Sequence, residues 1–163
     1  MPVSSLFPAM SNNGRLQVVP SVFTVIEKDG RYLLLRRFST GYMDGWYDLP
    51  AGHLEDKEKF TDGAVRELKE EANIDAVPEA LELIHIHQNH TSEPPHYGYI
   101  FFAKKWSGEP KIMEPNKCDD MDWFSLDNLP EKLLPYSRLA LENLANFKQP
   151  SLSYHEPGSI KNN

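Results

Sequence analysis

The sequence predicts an α+β fold, with helices packed against a mixed sheet. Three observations carry that prediction. β-Branched and aromatic runs separated by turn signals open the chain. One charge-rich segment with helical periodicity interrupts them. Further strand-like runs then lead to a closing amphipathic helix.

Residues 1–16 are rich in Ser, Pro and Asn and read as a flexible N-terminal segment. VVPSVFTVIE and RYLLLRR, joined by Lys28-Asp29-Gly30, read as a hairpin. FSTGYMDGWYDLP reads as a Gly- and aromatic-rich loop holding a short strand at Trp46–Leu49. A helix starts near Thr61 or Asp62, both favoured N-cap types. Ala64, Leu68 and Ala72, spaced by four, form its buried stripe, and Asn73 ends it in the left-handed conformation. ALELIHIHQN and HYGYIFFAKKW read as strands broken at Ser92–Pro95, and Met121–Phe124 as a short strand. SRLALENLANF, with Leu139, Leu141, Leu144 and Phe147, reads as the last helix. The domain thus spans 17–148, and 149–163 is expected to be a flexible tail.

A length of 163 residues suits one domain with a real core. Apolar residues at 40% and charged residues at 25% are ordinary for a soluble globular protein. A net charge of −7 with no Lys/Arg run argues against binding a nucleic-acid backbone. Cys118 stands alone, which excludes an intrachain disulfide and a multi-cysteine zinc site. MPVSSLFPAM lacks the features of a signal peptide, and no apolar run approaches the ~20 residues needed to span a bilayer. The expected location is cytoplasmic.

Chemistry concentrates in GHLEDKEKFTDGAVRELKEEANI, residues 52–74. Glu67, Glu70 and Glu71 share one helical turn, so their carboxylates are neighbours. At about 4 Å and an effective dielectric of about 20, each repulsion is roughly 4 kcal/mol. Such a cluster is either solvated or holds a cation, and hard ions such as Mg²⁺ prefer carboxylate oxygen. ELKEE alone fits a solvated helix face. Gly52, Glu58 and Arg66 change that reading. With them the stretch resembles the Nudix box, G-x5-E-x7-R-E-U-x-E-E-x-G-U with U apolar. Eight of its nine defined positions match, and Asn73 stands where the family has Gly.

The resemblance implies a Nudix-like α/β/α sandwich with a catalytic loop–helix–loop. It implies hydrolysis of a nucleoside diphosphate linked to a further group, with Mg²⁺ (or Mn²⁺) as cofactor. Carried onto this chain, Glu67, Glu70 and Glu71 are the metal ligands, and one of them, or an acidic residue from a later loop, is the general base. Arg66 holds a glutamate in place, Glu58 is a further ligand near the cluster, and Gly52 lets the chain pass close to metal and phosphate. WSGEPKIMEPNKCDDMDWF resembles the MutT-type triphosphate branch and makes Glu114 the first candidate to complete the site, with Glu109, Asp119 and Asp120 behind it.

Arg36 and Arg37 end a strand leading to the same face. Strand alternation sends one of them, taken as Arg36, to a phosphate and the other away. Tyr42, Trp46 and Tyr47 suit either a wall for a base or core packing. His85 and His87 share a strand face without a third ligand and read as structural. The function expected is conversion of a (deoxy)nucleoside triphosphate to monophosphate and pyrophosphate, in nucleotide-pool sanitation. The rivals are an ADP-ribose or nucleotide-sugar pyrophosphatase and a non-catalytic nucleotide-binding module. The partner is a small nucleotide, with no membrane and no nucleic acid; a homodimer stays open.

Overall fold

The structure, a computed structural model, describes residues 13–160. Most of the expected N-terminal segment, 1–12, lies outside the described residues. In chain order the strands are β1 (Val19–Val25), β2 (Glu27–Lys28), β3 (Arg31–Arg37), β4 (Tyr47–Asp48) and β5 (Ala51–His53). Helix α1 (Phe60–Ala72) follows, then β6 (Leu81–Asn89), β7 (His96–Ala103), β8 (Cys118–Phe124), α2 (Pro135–Leu144) and β9 (Ser151–His155). No helix among the described residues is long and apolar enough to cross a membrane.

Two sheets form the centre, one mixed and one antiparallel. One has the order β5-β1-β7-β6-β9; in the other, β3 pairs with β2 and β4 and also with β8. β1 runs parallel to β7 and antiparallel to β5. The strands are covered on both faces, and alternation sorts their side chains into two cores. Phe23, Val25 and Leu34 pack with Ala140 and Leu141 of α2. Leu33 and Leu35 pack with Leu68 and Ala72 of α1, and Val22 packs with Ala64. The two sheets between two helices are the α+β architecture the sequence predicts.

Several elements differ from expectation for identifiable reasons. The hairpin is confined to β2 and β3, across Asp29 and Gly30, both at positive φ. Val22–Val25 is fully buried, so β1 leaves that hairpin and becomes an internal strand of the other sheet. Helix α1 begins one residue before Thr61, and its N-cap, Lys59, makes no side-chain capping bond. Asp62 instead sits in the first turn, where the helix dipole favours a negative charge. Asn73 takes the left-handed cap at φ 57°, as expected. The β4 segment is shorter than Trp46–Leu49, and β5 was not anticipated. β8 starts at Cys118 rather than Met121. α2 starts at Pro135, where a missing N–H costs nothing, and Leu139 faces solvent while Tyr136 and Ala140 are buried.

Residues 151–155, expected in a flexible tail, form β9 and run parallel to β6. The attachment is specific. His85 is fully buried, and its Nδ1 and Nε2 meet Ser151 Oγ at 2.7 Å and Ser153 Oγ at 2.9 Å. Burial lowers the His85 pKa to about 4, so the imidazole is neutral and matches two hydroxyls that both donate and accept. Replacing Ser151 and Ser153 together by Ala orphans both nitrogens. The expected loss is about 1–3 kcal/mol for each buried group left unpaired. A denaturant midpoint equal to that of the wild type would refute the role given to these bonds.

Candidate active site

The acidic turn of α1 lies against β5, and a cleft of about 460 Å³ opens over both. Arg36, Gly52, Arg66, Glu67, Glu70, Glu71 and Glu114 all line it. Of the site residues expected from the sequence, only Glu58 is outside its walls.

Glu58 is engaged elsewhere. Arg66 Nε donates to its Oε1 at 2.8 Å and Arg66 Nη2 to its Oε2 at 2.9 Å. The paired guanidinium holds the Glu58 carboxyl down at about 2. In this structure Glu58 anchors Arg66. The same guanidinium donates through Nη1 to Glu67 at 2.8 Å and Glu70 at 3.2 Å, and through Nη2 to the His53 carbonyl at 3.0 Å. All five of its N–H groups are used, a pattern the lysine ammonium cannot reproduce.

Gly52 is required by space. A Cβ built there would stand 1.9 Å from Glu67 Cδ, so the glutamate lies directly on the β5 backbone. Glu71 is tied to the next residue, since Ala51 N–H donates to its Oε2 at 2.9 Å. Burial first, then Glu67 and Glu114 nearby, pushes the Glu71 carboxyl up to about 8. Burial also raises Glu67, against the opposing pull of Arg66.

Glu114 arrives through backbone bonds that finish α1. The last carbonyls of a helix need donors from outside it. Lys111 N–H donates to Ala72 O at 2.9 Å and Met113 N–H to Glu71 O at 3.1 Å, while Asn73 Nδ2 donates to Glu109 O at 3.1 Å. The capping segment leaves Glu114 on the cleft, paired with Lys117 Nζ at 3.0 Å. Its rivals do not line the cleft: Asp119 pairs with Arg36 at 2.7 Å, and Asp120 accepts from Tyr47.

Both strand-end arginines reach the cleft, contrary to simple alternation, because a register shift falls between Arg36 and Arg37. Arg37 is the one alternation sends away, and Asp48 is not singled out by the sequence reading. Asp48 is buried, and accepts from Ser137 Oγ at 2.5 Å and Tyr136 Oη at 3.2 Å. Arg37, Thr40, Asp48, Ala51, Gly52 and His53 also border a second cavity of about 340 Å³. Its far wall includes Phe23, Tyr42, His87, Asn89 and Tyr136.

Among the described residues, no three His, Cys, Asp or Glu side chains converge tightly enough to hold a metal ion as they stand. Arg66 accounts for this by drawing Glu67 and Glu70 to itself. Its bonds take Glu67 Oε1 and Glu70 Oε2, and Ala51 takes Glu71 Oε2, which leaves one oxygen of each carboxylate outside them. Hard oxygen donors in a site that penalises uncompensated negative charge fit a divalent cation. Glu67, Glu70 and Glu71 are the residues that would hold it.

A NUDIX domain model matches residues 15–144. The chain is 28% identical over 129 residues to an ADP-ribose pyrophosphatase of Methanocaldococcus jannaschii, covering 77% of this chain and 73% of that protein. It is 29% identical over 114 residues to the NAD-capped RNA hydrolase NudC of Stutzerimonas stutzeri, covering 68% of this chain but only 38% of that relative. Among solved structures, a MutT NUDIX hydrolase from Burkholderia pseudomallei superposes with a TM-score of 0.71 at 29% identity, covering 77% of this chain and 97% of that one. A MutT protein from Methanosarcina mazei superposes at 0.68 with 25% identity, covering 79% and 94%.

Two outcomes follow from the geometry. Gly52→Ala must push Glu67 off β5, and a displacement of about 1 Å costs on the order of 10²-fold in rate; kcat within twofold of wild type would contradict it. In chelator-treated protein, Glu71 binds its proton more tightly folded than unfolded. Its contribution to stability therefore falls as pH rises from the ordinary 4.5 through about 8. Urea unfolding with chelator should show Glu71→Gln gaining on the wild type across that window. A pH-independent difference between the two would refute the assignment.

Proposed function

The chain belongs to the Nudix family of hydrolases, and from that membership we propose that it is a Mg²⁺-dependent pyrophosphohydrolase of a (deoxy)nucleoside triphosphate, releasing monophosphate and pyrophosphate. The observation that carries this reading is the pair of adjoining cavities. An acid-walled cleft with arginine at its rim opens beside an aromatic-walled cavity, and Gly52 and Ala51 border both. A phosphate chain suits the first once cations offset the glutamates, and a flat base suits the second.

A bound divalent cation supplies charge neutralisation and polarisation at phosphorus. The chain's own residues do the rest. Glu67, Glu70 and Glu71 would hold the ion, and Arg66 keeps Glu67 and Glu70 from repelling each other. Arg36 and Arg37 meet phosphate oxygens at the rim. Water adds to phosphorus, the bridging P–O bond breaks, and the leaving oxygen departs with the bonding pair. Glu114, held beside Glu71 by the capping segment, takes the proton from water.

A second reading has its own support: the Methanocaldococcus jannaschii relative, 73% of whose length is matched, is named an ADP-ribose pyrophosphatase. The same acid cleft would serve a diphosphate bridging two riboses. A nucleotide panel with Mg²⁺ separates the two. Monophosphate with free pyrophosphate from triphosphates supports the first reading; AMP with ribose 5-phosphate from ADP-ribose supports the second. Turnover of neither, with nucleotide still bound, defeats both. Glu114→Gln should lower kcat by about 10²–10⁴-fold, as for loss of one acid–base group. Wild-type kcat in that variant would remove Glu114 from the proton step.

A further inference from the structure

We propose that the loop of residues 38–46 is a phosphate clamp, in which Thr40 and Asp44 position the Arg37 guanidinium for the phosphate nearest the nucleoside. This rests on the nucleotide reading above, and it gives a role to a loop that the box chemistry leaves unused.

The basic side chains of the acidic cleft are mostly committed to carboxylates. Arg36 pairs with Asp119, Arg66 with Glu58, Glu67 and Glu70, and Lys117 with Glu114. Arg37 is different. It is partly exposed and borders both cavities, and among the described residues no carboxylate stands within ion-pair distance of it. Neutral acceptors hold it instead. Its Nε donates to the Tyr42 carbonyl at 2.6 Å and its Nη2 to Thr40 Oγ1 at 3.0 Å, and the guanidinium lies 5.3 Å from the centre of the Tyr42 ring. The remaining N–H groups and the charge are left for a ligand, and a guanidinium so fixed suits two oxygens of one phosphate. With the base in the second cavity and the phosphate chain in the first, the phosphate at the seam is the one joined to the nucleoside.

The loop is built to keep this geometry. Asp44 Oδ1 accepts from the Thr40 N–H at 2.9 Å and from the Thr40 hydroxyl at 2.7 Å, and its Oδ2 accepts from the Gly41 N–H at 3.1 Å. A hydroxyl has one hydrogen to give. Asp44 is the nearer and the charged one of its two acceptors, the other being the Tyr42 carbonyl at 3.0 Å. With that hydrogen on Asp44, Thr40 Oγ1 presents a lone pair to Arg37. The carboxylate therefore orients the acceptor without neutralising the cation. Met43, fully buried, pins the loop to the core. Ser39, Gly41, Met43 and Gly45 all sit at positive φ, a conformation disfavoured for Ser39 and Met43. Such backbone strain persists only where the surroundings over-determine it, and it clusters at ligand clamps.

The test compares wild type, Thr40→Val, Thr40→Ser, Asp44→Ala and Arg37→Gln by calorimetry with Mg²⁺. The probes are pyrophosphate and the tightest-binding of AMP, GMP, CMP and UMP. The monophosphate carries the seam phosphate and pyrophosphate does not. Thr40→Val and Asp44→Ala should weaken monophosphate binding by about tenfold and pyrophosphate binding by much less. In turnover, KM should rise by more than kcat falls. Thr40→Ser, which returns the hydroxyl, should recover most of the lost affinity. In the Arg37→Gln background either substitution should add less than about twofold, because both act through Arg37. Thr40 is exposed, so Thr40→Val tests the hydroxyl even if Asp44→Ala fails to fold. Unchanged monophosphate affinity in Thr40→Val, equal losses for both probes, or effects that multiply with that of Arg37→Gln overturn the clamp and leave the proposed function standing. A wild type that neither turns over a nucleotide nor binds a monophosphate overturns both.

Discussion

The site depends on one guanidinium. Arg66 binds Glu58, Glu67, Glu70 and the His53 carbonyl, so a single cation links the loop before α1, the acidic turn within it and the end of β5. Without it, three carboxylates on one helical turn would repel and the loop would lose its hold on the helix. Surface ion pairs contribute little, but this one is multidentate and its side chain is only 23% exposed. The arrangement also has a limit built into it. Arg66 reaches Glu67 and Glu70 and leaves Glu71 with a backbone N–H alone. The negative charge that remains faces the cleft, where a divalent cation would offset it.

Around this centre the backbone does the positioning. Glu67 can lie on β5 because residue 52 has no side chain. Glu114 comes to the cleft because α1 ends there and its carbonyls need donors, which residues 111 and 113 provide. The left-handed cap at Asn73 contributes twice, once by turning the chain and once through its side-chain bond to Glu109. Glycine at that position would turn the chain but could not make the bond.

What was legible in the sequence follows the range of the forces involved. Spacing along one helix identified Glu67, Glu70 and Glu71, and a local backbone preference identified the Asn73 cap. Periodicity identified the longer core strands β1, β3, β6 and β7 but not their partners. The Val22–Val25 run reads equally as half a hairpin or as a doubly covered strand, and only packing on both faces selects the second. Arg37 was missed because a bulge undoes alternation, and bulges leave no mark in the residue pattern here. β9 was missed because SLSYH is polar, and what secures it is a pair of serines on a histidine 66 and 68 residues away. Its alternation of Ser with Leu and Tyr was the available signal.

Asp48 and His87 show how the two cavities become one site. Asp48 borders both and is held by Tyr136 and Ser137 at the start of α2. Burial raises its pKa, and those hydroxyls and the Leu49 N–H oppose the rise. Tyr136 in turn carries His87 on its face. A contact chain therefore runs from the seam beside the acidic cleft, through Asp48 and Tyr136, to the imidazole in the second cavity. Each link is buried and geometrically constrained, so neither cavity can change shape freely without straining that chain. α2 supplies Tyr136 and Ser137 from the side of the sheets opposite the box helix, and β9 extends the β5-β1-β7-β6 sheet at its edge.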